Sequence, residues 1–183
     1  MMPGVSCEAC HGPGEKHVAV MKAGDLKMAL IFNPSHLSAD ELSQEFCGTC
    51  HRSVDDVMLL KDQGEINNVR MQPYRLFNSR CYSNDRRIAC TACHDPHDNL
   101  VSDPDFYDSK CQACHAKPSV PAPAVQSPDM KLKDTLKLKT VTCPVGKKRC
   151  VECHMPKVEL PGSHFKFADH WIRVNKPGEP FPI

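Results

Sequence analysis

Cys7-Glu8-Ala9-Cys10-His11 is the first of five pentapeptides of one form, C-x-x-C-H. The others are Cys47-Gly48-Thr49-Cys50-His51, Cys90-Thr91-Ala92-Cys93-His94, Cys111-Gln112-Ala113-Cys114-His115 and Cys150-Val151-Glu152-Cys153-His154. Two thiols three residues apart lie on the same side of one helical turn, where they can form thioethers with the two vinyl groups of one porphyrin. The histidine that follows then points its imidazole at the iron. The pattern therefore reads as haem c attachment, with Cys7, Cys10, Cys47, Cys50, Cys90, Cys93, Cys111, Cys114, Cys150 and Cys153 as thioether donors. His11, His51, His94, His115 and His154 are the proximal iron ligands, for five haems in all.

Other readings of these cysteines fail on the pattern. Shuffling 12 Cys and 10 His through 183 positions yields about 0.04 copies of the motif. Tetrahedral zinc uses paired C-x-x-C units but does not explain a histidine after every second cysteine. A thioredoxin-like redox site needs one such motif in a strand-helix-strand setting, and no strand-helix alternation is legible here.

Five further histidines remain, His17, His36, His97, His164 and His170, one for each iron. That equality makes bis-histidine coordination the expectation, with these five as distal ligands. Methionine is the competing sixth ligand, but Met155 directly follows His154 and cannot fold back to the far face of its own haem. His97 is three residues after His94, a reach of at most about 10 Å, which is too short to pass around a porphyrin edge. It is expected to serve a different haem, and His17, six residues after His11, falls under the same argument. His164 and His170 follow the last motif and are expected to return to irons bound earlier in the chain.

Composition agrees that something other than side chains fills the middle. The 183 residues hold 7 Phe, 3 Tyr and 1 Trp against 16 Pro, and the apolar fraction is 40%, below the roughly 45–50% of a soluble domain. Five porphyrins would supply the missing apolar mass. Twelve cysteines are too many for a reduced cytosolic enzyme and point to an exported, periplasmic or extracellular setting. The peptide charge of +1 argues against nucleic acid as a partner, and haem propionates would bring the oxidised holoprotein to about −4. No run approaches the roughly 18 apolar residues of a membrane span. Met1-Met2-Pro3-Gly4 has neither the charged nor the apolar region of a signal peptide.

The expected fold is mainly α with extensive irregular coil, a haem-packed core and little or no β, forming one domain over residues 1–183. Ser38-Ala39-Asp40-Glu41 reads as a capping box that opens a helix running towards Cys47. Asp103-Pro104 reads as an N-cap with Pro at the first helical position, starting a short helix into Cys111. Residues 15–31, interrupted at Gly24, and 53–62 are further helix candidates. The Pro-rich stretch 117–128 reads as a surface loop, and the Lys-rich stretch 131–139 as a solvated face. The motifs recur at unequal intervals, so haem packing rather than peptide symmetry is expected to organise the chain.

Two cysteines lie outside the motifs, Cys81 and Cys143. Spare thiols in an oxidising space commonly pair, so a Cys81–Cys143 disulfide is expected, with two free buried thiols or an intermolecular bridge as the alternatives.

Several stretches extend beyond the haem motif itself: Gly4-Val5-Ser6-Cys7 through His11-Gly12-Pro13-Gly14 with His17-Val18, Arg80-Cys81-Tyr82, and Cys93-His94-Asp95-Pro96-His97. Others are Cys143-Pro144-Val145, Cys153-His154-Met155-Pro156-Lys157, and His164 with Asp169-His170-Trp171-Ile172-Arg173. In these the sequence resembles the multihaem cytochromes c related to cytochrome c554 and the wider octahaem and nitrite-reductase superfamily. The resemblance implies bis-His haems packed in close pairs and a role for Cys81 and Cys143. The C-x-x-C-K motif of the family's nitrite reductases is absent.

Two function classes follow. An electron carrier keeps every iron saturated and its haem edges close, whereas a catalytic haem needs an open axial position. Five spare histidines for five haems favour the carrier, either a periplasmic shuttle or a subunit of an extracellular cytochrome filament. Its partners would be other redox proteins or copies of itself, with haem contact or ligation between subunits. The alternative is a multihaem oxidoreductase with one open haem, acting on a small nitrogen or sulfur compound. Two nitrogen donors favour ferric iron more than a thioether does, so low reduction potentials are expected.

Overall fold

A helical turn that must display two cysteines and a histidine needs only five residues, and the chain supplies it as a series of very short helices. The computed structural model describes residues 4–25, 30–83, 88–115, 143, 145–176 and 178–182. Both the Pro-rich stretch 117–128 and the Lys-rich stretch 131–139 lie outside these residues.

The first motif is helix α1 (Cys7–His11), which ends at Gly12 with φ +73°. That left-handed value favours glycine and stops the helix immediately after the histidine. Helix α2 (Glu15–Lys22) follows and ends before Gly24, whose φ is +82°, so the first candidate helix stops short of residue 31. The Ser38 capping box is formed: the Ser38 N–H donates to Glu41 Oε2 at 2.8 Å and the Glu41 N–H to Ser38 Oγ at 3.3 Å. What it opens is a wide π-helical segment, Glu41–Phe46, closed by the Cys47 N–H donating to the Leu42 carbonyl at 2.9 Å. It runs into α3 (Gly48–His51), the second motif. A Cβ at Gly48 would lie 3.2 Å from that of Ser53, so the absence of a side chain lets the chain fold back closely.

Helix α4 (Val54–Met58) starts from a second capping box, between Ser53 and Asp56. It ends well before residue 62 because Leu60 is extended (φ −81°, ψ 143°), and beyond it Asp62, Gln63, Gly64 and Glu65 all have positive φ. Helix α5 (Gln72–Phe77) carries Pro73 in its first turn, where a missing N–H costs nothing, and α6 (Arg80–Ser83) follows. The third motif makes only a 3₁₀ turn, Cys90–Ala92. Helix α7 (Pro104–His115) starts at the expected Asp103-Pro104, with the Asp105 N–H donating to Asp103 Oδ1 at 3.0 Å, and ends in the fourth motif. The fifth motif is α8 (Cys150–His154). A small antiparallel hairpin follows, β1 (Lys157–Glu159) with β2 (Lys166–Ala168), Val158 facing Phe167. Three-residue strands are too short for a period of two to show in the sequence.

Among the described residues the buried apolar side chains are Val57, Val69, Tyr74, Leu76, Tyr82, Ala89 and Leu160. Most come from α4, α5, α6 and the 3₁₀ stretch Lys61–Arg70. Gln44 ties the second motif to this cluster: its Nε2 donates to the Pro73 carbonyl at 3.1 Å, and its Oε1 accepts from the Val54 N–H at 3.1 Å. The buried Tyr82 hydroxyl donates to Asp40 Oδ1 at 2.6 Å. Ser43, Asn68, Arg75, Ser79, Asp108 and Asp169 are buried too, so the peptide interior holds nearly as many polar side chains as apolar ones.

Candidate haem centre

The five motif turns adjoin one another in sequence order. The Cys47 and Cys90 thiols are hydrogen-bonded; that bond, with burial, pushes Cys47 up, and the charge of Cys10 acts in the same direction. Cys90 is drawn down to about 7 by the bond from Cys47, with burial opposing and Ser43 assisting. Burial raises Cys93, and it raises Cys111, which also feels Cys93, Cys150 and Cys81. The second and third motifs thus meet at Cys47 and Cys90 and the fourth and fifth at Cys111 and Cys150, with Cys10 in electrostatic range of Cys47 and Cys93 in that of Cys111.

Asp108 joins the fourth motif to the fifth. From α7 its carboxylate accepts the backbone N–H of Arg149 at 2.7 Å and of Cys150 at 2.9 Å. This caps α8 one turn before Cys111, while Arg149 itself takes a left-handed φ of +56°. The bonds from Cys150 and Arg149 hold the Asp108 carboxyl below its usual 3.8. A carboxyl lowered by folding stabilises the native state above its unfolded value, and that stabilisation is lost as pH falls through the folded value. Asp108→Asn is expected to lower the denaturant midpoint of the holoprotein at pH 7. The gap between variant and wild type should close as pH falls below 3.8 and through the lowered folded value, where wild-type Asp108 is protonated as well. Denaturant titrations across that range measure it.

The imidazoles are oriented by backbone carbonyls. The Nδ1 of His11 lies 2.8 Å from the Phe32 carbonyl oxygen, that of His154 2.9 Å from Arg173, and that of His170 3.0 Å from Ala168. A carbonyl only accepts, so each Nδ1 carries the proton and each Nε2 keeps its lone pair for a metal. Burial lowers both His94 and His170, which keeps them neutral.

Two histidine pairs come together. The ring centres of His11 and His97 are 6.0 Å apart with planes at 11°, and those of His94 and His170 are 6.2 Å apart at 41°. With metal–nitrogen bonds of about 2.0 Å, two imidazoles on opposite sides of one iron have centres about 6.3 Å apart. Both pairs fit that span, and the motif turns beside them fit haem c. His97 faces His11 rather than its sequence neighbour His94. Of the other sites, His51 lies within electrostatic range of His170. The His17 Nδ1 is buried without a hydrogen-bond partner, His36 ends an exposed 3₁₀ turn, and His164 is exposed in the loop between β1 and β2. His51 and His115 are also exposed. No ring contact joins these five to another histidine among the described residues.

Cys81 and Cys143, the pair for which a disulfide is expected, lie in α6 and three residues before Gly146. Cys143 is exposed, and its sulfur is held by the backbone N–H groups of Gly146 and Val145, which lower its pKa. Cys81 is half-buried in α6, within range of Cys111.

Sequence reasoning missed a buried ionic knot beside His170. The Arg75 guanidinium donates from Nε to Asp169 Oδ1 at 2.8 Å and from Nη2 to Oδ2 at 2.9 Å, with both side chains fully buried. Its Nη1 donates to Asn68 Oδ1 at 3.1 Å and to the Pro182 carbonyl at 2.8 Å. Its planar face lies 4.9 Å from the Trp171 ring centre and 4.4 Å from that of Phe181. Arg173 also pairs with Asp169. Burial pushes the Asp169 carboxyl up, but Arg75, the Trp171 N–H and Arg173 outweigh it and hold the carboxyl below its usual value. Asp169, Trp171 and Arg173 stood out in the sequence, as part of the Asp169–Arg173 run. Arg75 sits in α5 with no motif around it.

The described structure is mainly short helices with little β, and its five C-x-x-C-H turns and two close imidazole pairs are features that fit a multihaem c-type cytochrome. In keeping with that, the chain is 27% identical over 166 residues to the multiheme cytochrome MtrA of Shewanella baltica (strain OS185). The alignment takes in 88% of this chain and 38% of that protein's length. No family model matches the chain, and neither does any solved structure. No helix among the described residues is long and apolar enough to cross a membrane.

Proposed function

We propose that the chain is a five-haem electron-transfer cytochrome of an exported compartment, with bis-histidine irons arranged as a chain in sequence order. Bound haem supplies the one-electron ferric/ferrous couple. The chain's own residues hold its edges close and fix two nitrogen donors per iron, so that redox change moves little. The observation that carries this reading is the pair of imidazole separations, 6.0 and 6.2 Å. His11 with His97 and His94 with His170 complete two irons. His17, His36 and His164 then serve those of His51, His115 and His154. The Cys47–Cys90 and Cys111–Cys150 hydrogen bonds, with Cys10 and Cys93 in electrostatic range of Cys47 and Cys111, support a continuous path. Such a path suits both a periplasmic carrier and a protomer of an extracellular filament, with other redox proteins or further copies as partners.

Mass spectrometry of the purified holoprotein is expected to show five haems, about 3.1 kDa added to the 20.4 kDa chain. Low-temperature electron paramagnetic resonance of the oxidised protein should then show low-spin ferric iron throughout. A smaller mass increment overturns the five-haem reading. One haem equivalent of high-spin iron overturns the all-bis-histidine carrier and favours the oxidoreductase.

A further inference from the structure

His170 is the last histidine of the chain and lies just beyond β2, in coil. Regular structure does not fix its position, yet its backbone is held on both flanks and its ring nitrogen is bonded. Its Nδ1 donates to the Ala168 carbonyl, and its own carbonyl accepts from Ser79 Oγ at 3.0 Å. The same Ser79 oxygen accepts the Ile172 N–H at 2.8 Å, so one hydroxyl from the stretch between α5 and α6 bridges both sides of Trp171. On the other flank Asp169 is gripped by both Arg75 nitrogens and accepts the Trp171 N–H at 3.0 Å. Arg75 reaches Asp169 across 94 positions of sequence and uses its remaining described bonds on Asn68 and Pro182.

We propose that Arg75, Asp169 and Ser79 are positioning residues: a buried clamp that holds His170 opposite His94 and keeps the iron between them six-coordinate. The proposal rests on the axial reading of His94 and His170 given above. The clamp touches neither ring nor iron and acts through backbone. A coil segment without it samples many ring positions, and a metal–ligand bond tolerates few of them. Two observations set it apart from ordinary packing. The bidentate Arg75 grip on Asp169 and both Ser79 bonds fall on the four residues 169–172 around His170, and the serine hydroxyl bridges the two peptide groups that flank Trp171. Partners that orient a metal ligand in this way typically account for 10–100-fold in ligation strength.

The test uses the holoprotein and four variants: His170→Gly, Ser79→Ala, Asp169→Asn and Arg75→Lys. Added imidazole is titrated by optical spectroscopy, with low-temperature electron paramagnetic resonance for spin state and thermal unfolding in parallel. His170→Gly is expected to give one haem equivalent of high-spin iron that imidazole returns to low spin. The three clamp variants are expected to take up one imidazole per chain at about 10–100-fold lower concentration than wild type, with the other four haems unchanged. Lysine keeps the charge of Arg75 but not its bidentate grip, so Arg75→Lys should behave like Asp169→Asn. Ser79→Ala carries the test if the ionic variants fold poorly. If His170→Gly yields no high-spin haem, the axial reading fails and the clamp with it. If His170→Gly behaves as expected while the clamp variants bind imidazole as weakly as wild type, the clamp is overturned and the axial reading stands. Increased imidazole uptake at all haems, tracking the melting temperature, also overturns it, because that is the mark of general loosening.

Discussion

Produced without haem attachment, the chain is expected to show no cooperative unfolding transition and little helix by circular dichroism. The motif helices α1, α3 and α8 are four or five residues long, whereas an isolated helix needs about 12–15 residues to be even marginal in water. The interior offers little to replace the cofactor. Among the described residues seven apolar side chains are buried, alongside six polar or charged ones, and conformational entropy of about 1–2 kcal/mol per ordered residue must still be overcome. Changing the ten motif cysteines to alanine and comparing thermal scans with the holoprotein measures this. A sharp transition in the haem-free chain would show that the peptide core suffices.

Asp169→Ala in the holoprotein is expected to destabilise it by about 3–5 kcal/mol, the usual consequence of removing one partner from a buried ion pair. Arg75 is left fully buried, with the Asn68 and Pro182 oxygens but no counter-charge. Arg173 and the Trp171 N–H lose their acceptor as well. At roughly 2–4 °C per kcal/mol for a chain of this size, the melting temperature should drop by about 10 °C. The double variant Arg75→Met with Asp169→Leu should lie closer to wild type than Asp169→Ala, because the fully buried Arg75 charge is then not stranded, although the part-exposed Arg173 still loses its partner. A double variant worse than Asp169→Ala would mean that the pair itself, rather than the stranded charge, sets the stability.

Legibility followed range along the chain. The Ser38 capping box and the Asp103-Pro104 helix start were readable because both are settled within four residues, by side chains bonding nearby N–H groups. Even so, the box opened a π-helical segment rather than a regular helix, a choice made where Gln44 is pulled onto the Pro73 carbonyl and the Val54 N–H. The break after Met58 was missed because it falls on Leu60, an ordinary helix former held extended, and of the four positive φ values that follow at 62–65 only one is on glycine. The hairpin escaped notice because two three-residue strands carry no period. Arg75 carried no signal at all: its charge looks like any surface arginine until α5 places it under Trp171 and Phe181.

The histidines divide the same way. Haem attachment is covalent chemistry within five residues, so each C-x-x-C-H declares its cofactor wherever it falls, and the short link from His94 to His97 excludes a shared iron on length alone. That His97 faces His11 and His170 faces His94 is a relation through space between residues far apart in the chain. Sequence bounded those choices, and folding made them: the Arg75–Asp169 pair and the Ser79 bridge tie the C-terminal coil to α5, and His170 comes to lie beside His94 in that coil.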